Sequence, residues 1–527
     1  MKRIVIIASG TLLLSALSFI AADLVAAADP PEDIDAFVEG VSQKFEVPGI
    51  GLAIVKDGEV VVAKGYGVGD RERSTQVDAH TLFAIASNTK AFTATALALL
   101  VEEGKLQWDD PVIDHLPWFQ LSDPYVTREI TVKDLLVHRS GLGLGQGDLL
   151  LFPPTDYDRT EIVRRLRFLE LKTSFRSAYA YDNVLYVVAG ELIAAVSGQS
   201  WEEFIDSRIL NKFGMVDSKT RIEQVLAATN VAQPYMLVDQ KLTKVDHEAV
   251  PNIAPAGGIY SSASDMAKWL AVQLDSGRAV GSGQFFSPST TRELWAYITP
   301  IPIADPPPEL AKFRRQFLGY GLGFVVGDYR GHKVVFHDGV LGGYVSMLTM
   351  IPDLKLGIVI LTNQMSEYGN IAITRHVLDY YLGVSDMNWL TTMEAVAARD
   401  HARVSEEEQQ IIAAGNATTQ PSLPVSSYVG TYSDVWCGDI TIGQEAGKLV
   451  MRFSHTPALV GEMEHWQYDT FIVRWRDLAW SADAFITFAL NPDGTIEQAK
   501  MKAVSPATDF SFDFQDLLLK PKPDKGE

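Results

Sequence analysis

The sequence predicts an α+β fold in which helices cover an antiparallel sheet, followed by a small antiparallel β-barrel. Two observations support this prediction. Between Val47 and about Gly383, helix-like and strand-like stretches alternate, and the late strands are separated only by short Gly/Asp turns. From Val425 onwards, roughly 100 residues form short alternating strands with turns, which is typical of a small barrel or sandwich.

The predicted elements of the first region follow in chain order. Two strands flank an Asp-Gly turn at Asp57, and an Ala/Leu-rich helix from Ala91 ends before Gly104. Apolar residues then recur at helical spacing in Glu161–Leu169, Val184–Val196 and Ser264–Leu274, with Ser264 as the N-cap. The late strands are predicted at Leu322–Val326, Lys333–Phe336, Tyr344–Met350 and Gly357–Thr362.

The pattern changes after Gly383. Residues 389–415 indicate one or two helices, and residues 416–422 have the composition of a linker. We therefore predict a main domain at 29–385, a helical linker at 386–422 and a β-barrel domain at 423–527.

Two weaker signals concern ligand sites. Trp466, Trp475 and Trp480 are interpreted as barrel core rather than as a ligand cavity, and the Pro-rich segment 301–310 is interpreted as a stiff surface loop that is a candidate border of the cleft.

Composition and charge exclude several classes of function. Of the 527 residues, 47% are hydrophobic and 21% charged, which is globular composition. Lys and Arg number 45 against 66 Asp and Glu, and the net charge of −21 repels phosphate backbones, so we expect no nucleic-acid partner. The single cysteine, Cys437, and the absence of HExxH or paired-His spacing predict no disulfide framework, no metal site and no other cofactor.

Residues 1–28 have the pattern of a secretory signal peptide. Lys2-Arg3 precedes an apolar run to Ile20, and Ala26-Ala27-Ala28 provides an Ala-x-Ala end. A membrane anchor is the alternative, but the run of about 17 residues is short for a span of ~20, and Asp23 would be costly in lipid. We predict cleavage after Ala28, a periplasmic or secreted location, and no stable membrane span in the mature protein.

Three short motifs carry the functional prediction, and the first is Ser87-Asn88-Thr89-Lys90 at the start of the Ala-rich helix. Because residues i and i+3 share a helix face, the hydroxyl of Ser87 and the amine of Lys90 are expected side by side. The positive field of the helix N-terminus favours the charge that develops when the serine attacks. The amine can take the serine proton only if burial lowers its pKa, and the neighbouring residues are apolar. A capping serine beside a solvated lysine would show the same four residues.

The second and third motifs are Tyr181-Asp182-Asn183 and His337-Asp338-Gly339. A phenol near a cation can serve as base or proton shuttle, and an asparagine offers both a donor and an acceptor to a peptide-like substrate. Gly339 lets a substrate lie against the strand edge, where the next backbone N–H, that of Val340, can face a carbonyl oxygen. Taken alone, the two motifs also fit a loop tyrosine and a tight turn.

In this order and context, the motifs resemble those of the penicillin-recognising serine hydrolases, especially the branch of class C β-lactamases, D-Ala-D-Ala carboxypeptidases, D-aminopeptidases and β-lactamase-fold esterases. The resemblance covers roughly residues 35–385. It implies a β-lactamase/transpeptidase-like fold, with an all-helical lobe against an antiparallel sheet flanked by helices. The C-terminal unit is similar to a lipocalin-like domain that is attached to some members.

The resemblance also implies a role for each motif residue. Ser87 would be acylated, and Lys90 and Tyr181 would share general-base and proton-return duties, without a decision on which is the base. Asn183 would hold the substrate amide. The N–H groups of Ser87 and Val340 would form the oxyanion hole. His337 would stand where many relatives carry a lysine that attracts a substrate carboxylate.

The histidine is a departure from that pattern. An unperturbed imidazole is mostly neutral at pH 7, which reduces the case for an efficient β-lactamase. The leading hypothesis is an exported serine hydrolase that cleaves peptide or amide bonds, of D-amino-acid or cell-wall-type peptides. The alternatives are a carboxylesterase with weak β-lactam hydrolysis and a β-lactam- or peptide-binding sensor. The expected partner is a small peptide, amide or ester, and the sequence leaves open whether the protein forms a homo-oligomer.

Overall fold

The computed structural model describes residues 29–238, 241–279, 283–416 and 418–523, so the predicted signal peptide at 1–28 lies outside the described residues. The main sheet is antiparallel and confirms the predicted α+β class. From one edge to the other, its nine described strands are Thr299–Pro300, Leu318–Tyr320, Val325–Tyr329, His332–Leu341, Tyr344–Ile351, Leu356–Thr362, Gly49–Lys56, Glu59–Asp70 and Thr75–Gln76.

Helices cover both faces of this sheet. In the central strand Gly49–Lys56, Leu52 packs towards the helix Glu367–Tyr381, whereas Ala53 packs towards the opposite cluster, which includes the helix Thr89–Glu102. Successive side chains point to opposite faces of a strand, so a strand covered on both sides reads as a continuous apolar run. This is why residues 50–55 contain no polar side chain.

The helix Thr89–Glu102 is the centre of the helical lobe. Every residue from Thr89 to Leu100 is buried, which explains its apolar and small side chains on all faces. The α-helices of the described residues are Ile34–Lys44, Thr89–Glu102, Val112–His115, Pro124–Glu129, Arg159–Arg165, Val184–Ser197, Trp201–Ile205, Asn211–Phe213, Ile222–Leu226, Ala254–Gly257, Ala263–Leu274, Pro288–Leu294, Glu367–Tyr381 and Trp389–Ala413.

The C-terminal unit is a nearly closed antiparallel barrel, as predicted. Backbone hydrogen bonds between Ala499 and Leu519, of 2.8 and 3.0 Å, connect the two ends of its sheet. Its eight described strands are Gly430–Asp434, Gly438–Glu445, Lys448–Phe453, Val460–Gln467, Thr470–Trp475, Ala484–Leu490, Ile496–Ala503 and Lys520–Pro521. Short paired strands also occur at Phe83–Ala84 with Tyr260–Ser261, Tyr235–Val238 with Lys241–Lys244, and Arg278–Ala279 with Gly283–Gln284.

The barrel packs directly against the helical lobe. The hydrophobic core of the lobe continues into the barrel without interruption. Polar contacts accompany it: the Tyr157 hydroxyl donates to the Cys437 carbonyl at 3.0 Å, and Arg165 donates to the Trp436 carbonyl at 2.9 Å. The barrel is therefore positioned by buried contacts as well as by the chain connection.

Some local predictions were inaccurate. The helix predicted to begin after an N-cap at Ser264 begins at Ala263, because the Ser262 hydroxyl accepts the Asp265 N–H at 3.1 Å. By contrast, residues 389–413 form one helix, in agreement with the one or two helices predicted there. Among the described residues, no single helix has the length and apolar composition to cross a membrane, and only the bent pair Val184–Ser197 and Trp201–Phe213 meets that test when combined.

Candidate active site

The three predicted motifs meet between the helical lobe and the sheet. Ser87 lies in a short 3-10 turn, Ala86–Asn88, that leads directly into the central helix. Ala86 has a φ of 45°, a strained conformation for a residue with a Cβ, and strain of this kind is often found at functional sites. The turn faces a cleft of about 580 Å³, lined by residues of all three motifs: Ser87, Tyr181, Asn183, His337 and Val340.

Lys90 lies behind Ser87, with no exposed surface. Its amine donates to the Ser87 hydroxyl at 3.0 Å, to Asn183 Oδ1 at 2.7 Å and to the Ala256 carbonyl at 3.1 Å. Burial lowers the pKa of Lys90 to about 7, although the nearby carboxyl groups of Asp148 and Asp182 oppose the shift. A fraction of the amine is therefore neutral near pH 7, in contact with the hydroxyl that it would have to deprotonate.

Asn183 links Lys90 to a buried carboxyl group. Its Nδ2 donates to Asp148 Oδ2 at 2.7 Å, while its Oδ1 accepts from Lys90. Burial raises the pKa of Asp148 to about 7. These contacts hold the Asn183 amide in one orientation, because its donor and acceptor ends are both engaged.

Tyr181 lies over the same amine, with the centre of its ring 4.8 Å from Lys90 Nζ. Burial raises the pKa of the Tyr181 phenol well above its ordinary value, and the adjacent Ser87 hydroxyl only partly offsets this. The phenol is thus protonated at neutral pH. His138, whose ring centre is 4.2 Å from that of Tyr181, packs against it from the lobe.

His337 is neutral and fully engaged. Its Nδ1 donates to the Asp338 carbonyl at 2.6 Å, and its Nε2 accepts from the Tyr320 hydroxyl at 2.8 Å. Burial lowers the pKa of His337 to about 3, and the positive charge of Lys90 acts in the same direction. The sequence predicted weak positive charge at this position, and the structure supplies the physical cause.

Gly339 brings the strand His332–Leu341 against the turn that carries Ser87. A Cβ at Gly339 would lie 2.8 Å from the Ser87 backbone nitrogen and 2.7 Å from Ser346 Oγ, closer than real Cβ contacts allow. Ser346 also connects the sheet to the turn that carries Ser87. Its hydroxyl donates to the Ile85 carbonyl at 2.6 Å and accepts from Asn88 at 2.7 Å. Val340, the next residue, lines the cleft.

We expect Gly339→Ala to lower kcat/KM by at least about 10²-fold, because the added methyl must push the strand away from the Ser87 turn, and small misplacements of reacting groups have effects of that size. Steady-state hydrolysis of a reporter substrate measures this. Gly443→Ala is the matched control, since a Cβ on this barrel strand meets no atom within 4 Å. Equal activity of both variants would contradict the assigned role of Gly339.

The barrel supplies part of the cleft wall, through Ala479, Trp480 and the segment 509–512. The Ser511 hydroxyl donates to Asp148 Oδ2 at 3.0 Å, so the barrel contacts the same carboxyl group that holds Asn183. The Asp513 carboxylate accepts the N–H groups of Gly147 at 2.7 Å and Leu149 at 3.0 Å, which fixes the loop on either side of Asp148. Of the three tryptophans predicted as barrel core, Trp475 is buried there, but Trp480 lines the cleft.

The ionisable groups on the cleft wall are mainly carboxyl groups. Glu248, Asp338, Glu367 and Asp509 line it, whereas no lysine or arginine of the described residues does. Burial raises the pKa of Glu248 to about 8, helped by Asp477 and Asp509. Among the described residues, no cluster of His, Cys, Asp or Glu could hold a metal ion.

The sequence singled out all seven motif residues that meet here, but it missed several neighbours. Asp148, Tyr320 and Ser346 contact motif residues directly, and Ser511 and Trp480 come from the barrel. Tyr320 belongs to the segment 320–324, which also resembles the family, so the sequence could have indicated it. The others are single polar or aromatic residues without a local pattern.

A sheet against a helical lobe, with a serine and a buried lysine in contact at the start of the central helix, is the architecture of the β-lactamase-fold serine hydrolases. The chain belongs to the Beta-lactamase family, whose profile matches residues 34–380. Residues 414–521 match a second family described as a domain of unknown function, DUF3471.

Comparison with individual proteins agrees with this assignment. The chain is 29% identical to the unguisins hydrolase ungD of Aspergillus violaceofuscus, over 85% of this chain and 84% of that protein. It is 27% identical to the protein flp of Staphylococcus aureus strain COL, over 64% of each chain.

Two solved structures are similar in fold. The octameric penicillin-binding protein homologue of Pyrococcus abyssi matches with a TM-score of 0.60 and 24% identity, covering 93% of this chain and 99% of that chain. SurE with D-Leu matches with a TM-score of 0.52 and 19% identity, covering 93% of this chain and 98% of that chain.

Proposed function

We propose that the protein is an exported serine hydrolase that forms an acyl-enzyme on Ser87 and cleaves peptide or amide bonds. The observation that carries the proposal is the contact between Ser87 and a fully buried Lys90 whose pKa lies near neutrality. A solvated lysine would stay protonated and could not accept the serine proton. Export rests on the signal-peptide pattern of residues 1–28.

In the first half of the reaction, the neutral Lys90 amine takes the Ser87 proton as the hydroxyl oxygen attacks the substrate carbonyl carbon. The tetrahedral oxyanion accepts hydrogen bonds from the N–H groups of Ser87 and Val340. Collapse then breaks the carbon–nitrogen bond, and the proton taken by Lys90 passes to the leaving amine. In the second half, water attacks the ester and Ser87 recovers its proton.

Tyr181 is proposed as the proton carrier between Lys90 and the leaving group. Its phenol is protonated at neutral pH, which favours donation over general-base catalysis. Lys90 is the group that is partly deprotonated near pH 7, so the base assignment left open by the sequence falls to Lys90 in this proposal. Asn183, fixed between Lys90 and Asp148, would orient the substrate amide.

The proposed substrates are small peptides or amides that contain D-amino acids and place no carboxylate against His337. Two observations support the second half of that description: His337 is neutral, and no arginine or lysine of the described residues lines the cleft. A substrate carboxylate there would lose its hydration without gaining a cation. The preference for D-amino-acid or cell-wall-type peptides rests on the family resemblance, and the name of the unguisins hydrolase agrees with hydrolysis.

A carboxylesterase activity is the second candidate, since the same uncharged subsite also accepts a neutral ester. A substrate panel separates the two: D-alanyl-D-alanine as the free acid and as the C-terminal amide, D-amino-acid p-nitroanilides, p-nitrophenyl esters and nitrocefin. We expect Ser87-dependent turnover of the D-amide substrates, with kcat/KM at least about tenfold higher for the amide than for the free acid, because the free acid must desolvate its carboxylate without gaining a cation.

The panel also defines the contrary results. Turnover of esters alone would favour the esterase, and free acids better than amides would overturn the proposed subsite. Labelling by a fluorescent penicillin without turnover of any substrate would favour a sensor. Absence of both labelling and turnover that depend on Ser87 would reject the proposed reaction.

A further inference from the structure

A second cavity, which we call the lower cavity, lies on the face of the sheet opposite Ser87. Its volume is about 330 Å³, at the lower end of the range of small-molecule sites, about 300–1,000 Å³. Val334, Phe336 and Asp338 of the strand His332–Leu341 point into it. His337 and Gly339 alternate with them and point to the cleft, because successive side chains of a strand face opposite sides. The Pro-rich loop, a candidate border of the cleft in the sequence, instead lines this cavity through Ile303, Ala304 and Pro306.

Two half-buried arginines face the lower cavity without an ionic partner. Neither Arg315 nor Arg375 forms an ion pair within 4 Å in the part of the chain that the structure describes. Arg375 lies over the Tyr329 ring, with Cζ 4.0 Å from its centre, and Arg315 lies over Phe336 at 4.6 Å. Arg315 also donates to the Asp328 carbonyl at 3.3 Å. Burial lowers the pKa of both guanidinium groups, to about 10 for Arg315.

The carboxyl groups nearby offset the burial of these cations only in part: Asp328, Asp338 and Asp379 raise the pKa values of the arginines, but burial lowers them by more. Asp379 is already engaged by Arg330 at 2.8 and 3.0 Å, by Trp389 at 2.8 Å and by the Tyr329 hydroxyl at 2.6 Å. Asp338 lines the cavity, but its Oδ1 has no hydrogen-bond partner, and burial raises its pKa to about 7. The lower cavity therefore holds an excess of positive charge.

A charge that is partly removed from water and has no ion pair is stabilised when a counter-charge binds to it. The rest of the wall is apolar and suits a hydrocarbon body: Leu310, Phe313, Leu318, Phe336, Leu378 and Trp389. We propose that the lower cavity binds a small amphipathic carboxylate, with its head group on Arg315 and Arg375 and its apolar body against this wall. This cavity is distinct from the cleft that holds Ser87, and Asp338 lines both of them.

Isothermal titration calorimetry of the full chain with octanoate tests the proposal, with octanol as the neutral control and acetate and inorganic phosphate as head-group controls. We expect octanoate to bind at least about tenfold more tightly than any of the three controls. Arg375→Gln and Arg315→Gln should each weaken octanoate binding by about tenfold or more, the effect of losing one charged hydrogen bond. Quenching of Trp389 fluorescence, lost in Trp389→Phe, should accompany binding.

The matched control is Arg314→Gln, because Arg314 lies at the rim of the same cavity but is exposed and paired with Asp305 at 3.0 Å. It should leave octanoate binding within about twofold of the native value, well under the effect of a lost charge interaction. Thermal melts show whether each variant is folded. If Arg375→Gln does not fold, the comparison between Arg315→Gln and the native protein tests the proposal.

Unchanged affinity in both variants would overturn the proposal. Loss of binding after Ser87 is blocked with a fluorophosphonate would place octanoate in the cleft and overturn it as well. Acetate or phosphate binding as tightly as octanoate would overturn the amphipathic ligand.

Discussion

Replacing Ser87 by alanine is expected to lower turnover of every substrate by at least about 10³-fold, because the substitution removes the atom that forms the acyl bond. It should also abolish covalent labelling by a fluorophosphonate or a fluorescent penicillin. The fold should survive, since the Ser87 side chain accepts one hydrogen bond from Lys90 and fills little volume. Kinetics, gel fluorescence and a thermal melt measure these three outcomes.

Ser405→Ala is a suitable control, because Ser405 is exposed on the helix Trp389–Ala413, away from the cleft. It should retain native activity and labelling. If Ser87→Ala still hydrolyses peptides or esters at a rate near that of the native protein, another nucleophile is at work and the proposed mechanism is wrong.

Replacing Lys90 by methionine is expected to lower kcat/KM by about 10³-fold, within the range of general acid–base catalysis. Methionine fills most of the same volume but cannot accept a proton. In the native protein, kcat/KM should rise with pH through about 7, because the pKa of Lys90 is about 7 and the amine is active only when neutral. This ascending limb should be missing from the profile of the variant.

Lys448→Met controls for loss of a lysine as such, since Lys448 is exposed on the barrel and paired with Glu462 at 2.7 Å. Its activity and pH profile should match those of the native protein. A Lys90→Met variant that is folded and keeps the ascending limb would show that a different group, such as Asp148 or Asp182, titrates in that range.

The parts of the site that could be predicted are those whose residues lie close together in the sequence. Ser87 and Lys90 are one helical turn apart, so their contact follows from helix geometry once the helix is recognised. The apolar surroundings of Lys90 predicted its lowered pKa, which the buried position explains. The alternation of strands and helices predicted both the α+β domain and the barrel. Their boundaries at 385 and 422 remain predictions.

The missing parts depend on contacts between distant positions. Asp148 meets Asn183 across 35 positions and Ser511 across 363, and no local pattern marks any of the three for the other two. The Pro-rich loop was predicted to be stiff and a candidate border of the cleft. It lines the lower cavity instead, next to the paired edge strands Thr299–Pro300 and Leu318–Tyr320. Trp480 was predicted to belong to the barrel core, but it lines the cleft. Its surroundings depend on where the barrel packs against the lobe, and no local sequence pattern encodes that position.

The docking of the barrel has a consequence for how the pocket of this protein can be altered. Phe510 and Ser511 reach the cleft from one domain, while Ser87 and Tyr181 reach it from the other. A substitution at Phe510 or Ser511 would therefore alter the shape of the pocket without touching the side chains that carry out the proposed reaction.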